Sequence, residues 1–253
     1  MKKIISIASK EIKSSFFTPF AYVIFAGFLL LSGFFFFTLL QQFNGVLAQQ
    51  SPIKGEQISL NKWVVMPFYQ TLEIVLIFLI PLLTMRSFAE ERQVGTFEML
   101  MTSPLSVSEI VLGKFLGIST VIFAMLLLSF SFPTALMLFS DPEVLPIFVG
   151  FFGLCLFSFS FVPLGIAVSS FCKSQTIAGF ISLILLLVFY IIAAPAEKLQ
   201  GAMAKMLLYV SPSSHTEVFL KGVITGSDVV YFFSVIAFGL FLANRILDAE
   251  RWR

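Results

Sequence analysis

The chain has 253 residues, of which 58% are hydrophobic and only 12% charged; 33 are phenylalanine, and the mean hydropathy is +0.99. So few charges cannot cover a water-soluble fold of this length, and so much apolar material excludes a disordered chain. The formal net charge is only +2, with no basic domain, which argues against nucleic acid as a partner and leaves an all-α integral membrane protein.

In residues 1–17, Ile4, Ile5, Ile7, Ala8, Ile12 and Phe16 alternate with Lys2, Lys3, Lys10 and Lys13. That pattern predicts an amphipathic helix lying on the membrane surface. A membrane span needs about 20 largely apolar residues. Six stretches qualify: 19–40, 66–85, 115–140, 146–171, 176–196 and 229–247. The first is longer than the apolar core of a cleaved signal and lacks a small-x-small site behind it, so it is expected to be retained. Pro133 and Pro163 are expected to kink the third and fourth spans. An even number of spans places both ends on one side. Eleven Lys and Arg residues fall on that side and five on the other, which predicts cytoplasmic termini.

The outer loop 41–62 shows little apolar periodicity and reads as short polar surface. In 197–228, Leu199, Met203, Met206, Leu207 and Val210 recur at helical spacing. They predict two short helices dipping into the outer leaflet, broken near Ser211 and Pro212. His215 and Glu217 fall at the start of the second, and a lone histidine there reads as a hydrogen-bonded surface residue. Cys155 and Cys172 form neither a disulfide framework nor a metal spacing and read as small buried hydrophobes. No metal or catalytic site is expected: HExxH and GxSxG are absent, and His215 alone cannot supply a dyad with an orienting partner.

Glu73 is the only acid well inside a span, where a carboxylate is costly. Two readings stand for it. It lines a gate, a central cavity or a dimer seam, or it snorkels to the outer interface or makes a structural pair.

The most charged stretch is 85–117, with Glu90, Glu91, Arg92, Glu98 and Glu109. An amphipathic helix is expected over 88–101, with Phe97, Leu100 and Met101 on its apolar side and Gly95 loosening it midway. Ser103 and Pro104 end that helix, because proline disfavours helix at the residue before it. Ser106 and Glu109 form a capping box that starts a new helix at Val107, running into the third span. Gly113 and Gly117 are four apart, a spacing that lets helices approach closely. Gly113-Lys114-Phe115 is only a fragment of a phosphate-binding P-loop, and no full motif occurs. The stretch is therefore a solvated loop or a docking surface in which apolar anchors are flanked by charges.

The run RSFAEERQVGTFEMLMTSPLS followed by EIVLGKFLG resembles the signature of the permease subunit of type-2 ABC exporters. SPSSHTEVFLKGVITGSDVVYF, at 211–232, and the closing RWR resemble the branch of small permeases associated with gliding motility, related to those of nitrous-oxide-reductase maturation. The resemblance spans nearly the whole chain and implies a single six-span permease domain over 1–253. It implies that 86–114 holds a cytoplasmic coupling helix seated in a nucleotide-binding subunit. Glu90, Glu91, Arg92, Gly95, Thr96, Glu98 and Leu100 would lie at that contact, and Ser103, Pro104, Gly113 and Lys114 match the pattern. The amino-terminal interfacial helix would touch the same subunit, and 197–228 would hold outer re-entrant helices. The implied assembly has two ABC ATPase subunits, which bind ATP and Mg, and a second permease copy or homologue, in a bacterial inner membrane. The chain itself would bind no cofactor and hydrolyse nothing. Against this stand a stand-alone secondary transporter, for which no internal repeat is evident, an intramembrane enzyme, and a membrane scaffold of a motility or maturation complex.

Overall fold

The computed structural model describes residues 2–17, 19–49, 59–102, 105–140, 142–197 and 201–251, and among these it contains helices and no strand. In chain order the helices are α1 (Lys2–Phe17), α2 (Pro19–Gln49), α3 (Met66–Thr84), α4 (Ala89–Val94), α5 (Phe97–Met101) and α6 (Val107–Ser129). There follow α7 (Ser131–Phe139), α8 (Val144–Phe171), α9 (Gln175–Ile191), α10 (Ala202–Val210), α11 (Pro212–Leu220) and α12 (Gly226–Arg251). A π turn, Asn61–Val65, leads into α3. Six segments are long and apolar enough to cross a membrane: Ala21–Ala48, Asn61–Val94, Val107–Met137, Val144–Phe171, Gln175–Ala196 and Gly226–Arg251.

Helix α8 is the hub, packed against α3, α6, α9, α11 and α12. Lipid is as apolar as leucine, so close backbone approach has to come from small residues. A Cβ on Gly150 would stand 2.8 Å from the Tyr69 ring, and one on Gly153 would stand 2.5 Å from Cβ of Phe219. Gly165 receives Thr84, and Gly239 of α12 lies against Pro163. Two hydroxyls on this hub bond within their own helix: Ser158 donates to Leu154 O and Ser160 to Phe157 O, each at 2.7 Å. Tyr69 spends its hydroxyl on Ile147 O at 2.8 Å, tying α3 to α8.

Helix α8 stays helical through Pro163. Other local expectations are refined. The break in the third span comes at Phe130, which places Pro133 in the first turn of α7. A first-turn N–H has no partner inside its helix, so proline forfeits nothing there. Helix α2 continues to Gln49, because Phe43 still packs into the core, and so takes up the start of the expected 41–62 loop. Residues 50–58 of that loop lie outside the described residues.

The single helix expected over 88–101 is two. Gly95 has φ +79°, and Thr96 N–H donates to Glu91 O at 3.0 Å while Gly95 N–H donates to Arg92 O at 3.3 Å. This is a left-handed helix ending that glycine adopts without strain, so Gly95 stops α4 instead of loosening a longer helix. The capping box is present at the start of α6: Ser106 Oγ accepts from Glu109 N–H at 3.2 Å, and Glu109 Oε2 accepts from Ser106 N–H at 3.0 Å. The break between α10 and α11 falls at Ser211, with Pro212 at the first helical position. Leu199, Ser103 and Pro104 lie outside the described residues.

Gly153→Val should push α11 off α8 and lower stability by about 1–3 kcal/mol, the usual range for overpacking. The check is unfolding of the detergent-purified chain. Gly27→Ala, placed where nothing stands within 4 Å, should not lower stability.

Candidate functional site

Two groups of polar residues are held at opposite ends of the bundle. The first is built around Lys114 on α6. Gly113 and Gly117 open a groove in which α1 lies: a Cβ on Gly113 would be 2.6 Å from Cβ of Ile7, and one on Gly117 would be 2.7 Å from Cβ of Glu11. That approach carries Glu11 to the Lys114 ammonium. Lys114 Nζ donates to Glu11 Oε1 at 2.7 Å, to Glu91 Oε1 at 2.9 Å and to Ser87 O at 2.6 Å. All three N–H bonds are used, and Lys114 is only 2% exposed. Its Nζ also sits 4.9 Å from the centre of the Phe88 ring. One side chain thus joins α1, α4 and α6.

Helix α4 has no cap of its own, since Phe88 stands at its N-cap. Ser169 of α8 takes that place: its Oγ accepts the N–H groups of Phe88 and Ala89 at 3.1 and 3.2 Å and donates to Met85 O at 3.1 Å. Arg92 closes the other side. It donates to both carboxylate oxygens of Glu250 on α12 and to Ser170 O, and its guanidinium lies 4.3 Å from the centre of the Phe97 ring. Arg251 donates to Leu105 O at 3.4 Å, so the end of α12 meets the segment after α5 as well. The Cys172 thiol is buried near Arg92; burial pushes its pKa up, against a smaller downward pull from the guanidinium.

The residues singled out from the sequence separate into two sets. Glu91, Arg92 and Lys114 point inward and form the brace, and Gly113 forms the seam with α1. Leu100 packs partly buried beneath α5. Glu90, Gly95, Thr96 and Glu98 lie on the outer surface with Val94 and Met99, which are 70% and 76% exposed. A cavity of about 340 Å³ lies between α1 and α4, lined by Lys10, Glu11, Ser14, Glu90 and Glu91 among others. Sequence reasoning missed Glu11, Ser169 and Glu250. The only signal for Glu11 was an acid in an otherwise basic segment; Ser169 and Glu250 carried none.

At the opposite end Glu73 is 2% exposed, turned into the protein and not toward the interface. Tyr190 donates to its Oε2 at 3.4 Å, and its Oε1 has no hydrogen-bond partner. A cavity of about 300 Å³ lies beside it between α3, α9 and α11. His215 is not a surface residue: it is 7% exposed, with Nδ1 2.6 Å from Asp228 Oδ1. Its Nε2 donates to Tyr209 O at 2.8 Å, and its ring stacks on Tyr231 at 3.9 Å. Three helices, α10, α11 and α12, converge on it, and these long-range partners bury it. No group of three or more His, Cys, Asp or Glu side chains able to hold a metal occurs among the described residues.

A family model described as ABC-2 family transporter protein matches residues 5–244, nearly the whole chain. Curated proteins show no match to it.

Removing Lys114 would leave two acids facing each other without compensation, a loss of about 3–5 kcal/mol for a broken buried pair. Lys114→Ala should therefore unfold early in mixed-micelle titrations. Lys114→Met combined with Glu11→Gln and Glu91→Gln should recover much of the loss, because the charges leave together.

Proposed function

The chain belongs to the ABC-2 family of transporter proteins, and on that premise we propose that this membrane permease subunit couples ATP hydrolysis by a separate cytoplasmic ATPase to alternating access. The surface formed by α4 and α5 is the docking site. The observation that carries the reading is the pairing of exposed apolar anchors with a rigid mount. Val94 and Met99 are exposed, as are Glu90, Thr96 and Glu98, while Lys114 and Arg92 lock α4 to α1, α6, α8 and α12 and Arg92 holds Phe97 of α5. A partner's anchoring energy concentrates in a few such residues ringed by polar ones. Movement of the partner would then be delivered to four helices at once, as rigid-body displacement instead of local bending.

In this reading α1 lies in the inner membrane interface, with Lys2, Lys3, Lys10 and Lys13 toward the cytoplasm. Two ATPase subunits bind ATP and Mg, and a second permease copy or homologue completes the pathway. Export across a bacterial inner membrane, with both termini cytoplasmic, rests on the sequence resemblance and on the distribution of basic residues.

The test is co-purification from native membranes, comparing wild type with the paired substitutions Val94→Asp and Met99→Asp. Wild type should bring down a P-loop ATPase. The variant should lose about tenfold or more of it, in recovery and in stimulated hydrolysis, with unchanged thermal stability. Equal recovery would remove α4 and α5 as the docking surface. Wild type that elutes without an ATPase and carries solute in liposomes without ATP would make the chain a secondary transporter.

A further inference from the structure

We propose that the cavity between α3, α9 and α11 binds a primary ammonium group, with Glu73 as its counter-ion, the group being carried by an amine-headed lipid or a small soluble amine. The proposal does not depend on ATPase docking; only its placement toward the outer leaflet rests on the orientation given above.

A buried carboxylate needs good donors or a cation, and Glu73 is met only by side-chain hydroxyls, that of Tyr190 at 3.4 Å and that of Thr216. Its Oε1 is unpartnered and the side chain borders the cavity. None of the described residues lining that cavity is basic. The neighbouring Lys221 is spent on Glu217 at 2.7 Å and is largely exposed. The structure thus holds an acid without its base, next to about 300 Å³ of space, the lower end of the range for small-ligand sites.

The lining selects among cations. A primary ammonium offers three N–H donors and needs several acceptors around one point. Gln70, Ser213 and Ser214 add acceptor oxygens to Glu73, and Leu208 and Leu220 offer an apolar wall for a methylene stem. A quaternary ammonium has no N–H and favours a cage of aromatic rings, whereas Tyr190 is the one ring among the described lining residues. A guanidinium pairs best with both oxygens of a carboxylate, and Tyr190 already holds Oε2.

The experiment uses the whole permease in detergent, with octylammonium chloride and uncharged octanol as probes. One readout is binding by titration calorimetry. The other is labelling of Glu73 by a hydrophobic carbodiimide, read by mass spectrometry, which needs no variant. Octylammonium should bind saturably and protect Glu73 from labelling, and octanol should do neither. Glu73→Gln should weaken octylammonium binding by about tenfold, and Glu73→Asp should retain most of it. Protection by octanol as strong as by octylammonium, or Glu73→Gln binding within about twofold of wild type, would overturn the proposal. In nanodiscs, protection by phosphatidylethanolamine but not phosphatidylcholine identifies a lipid ligand. Protection by glycerophosphoethanolamine added to phosphatidylcholine discs identifies a soluble one. Protection by neither overturns the site.

Discussion

The ammonium of Lys114 is the point on which one end of this bundle depends. It is nearly inaccessible to water, and a charge in that position persists only if every N–H finds an acceptor. The acceptors come from three places far apart in sequence: Glu11 on α1, Glu91 on α4 and the backbone of Ser87. Their meeting requires α1 to lie directly on α6, which the two glycines at 113 and 117 allow. Side chains any larger would hold the helices apart and leave the charge uncompensated. Glycine spacing, helix approach and charge compensation are therefore one arrangement described at three levels.

The same logic runs through the apolar part of the fold. Helix α8 carries Gly150, Gly153 and Gly165 toward its neighbours, and Tyr69, Phe219 and Thr84 fill the spaces. Where hydrophobicity supplies no drive, shape and hydrogen bonds decide which helices touch. The mount for α4 uses both: Ser169, on the last turns of α8, caps a helix whose own first residue cannot. Arg92 then ties that short helix to the end of α12. Helices of six and five residues are too short to persist alone. Here they are held from outside, which is the condition for transmitting force.

What could be read in the sequence is what depends on near neighbours. The all-helical class and six membrane-capable helices follow from runs of apolar residues, and the start of α6 from Ser106 and Glu109 three positions apart. The break at Ser211 follows from the proline after it. What could not be read depends on partners distant along the chain. His215 reads as surface because its neighbours are polar, yet Asp228, Tyr209 and Tyr231 enclose it. Lys114 reads as part of a motif and not as the centre of a brace, since Glu11 lies over a hundred residues away. Gly95 shows the subtler failure: its presence was visible, but not whether the chain would turn left-handed there or continue.

The two ends of the bundle treat buried charge in opposite ways, and the difference bears on what each can do. Around Lys114 and Arg92 the charges are matched, so moving one element without the others would expose an ion to an apolar interior. Such an end is suited to moving as a unit. Around Glu73 the match is incomplete, with no basic residue among the described ones that line the cavity beside its carboxylate. Fold stability alone would be better served there by an apolar side chain of similar volume. A carboxylate kept in such a place makes sense if its partner arrives from outside the chain. Force would then enter where buried ions are paired within the chain, and recognition would occur where one is not.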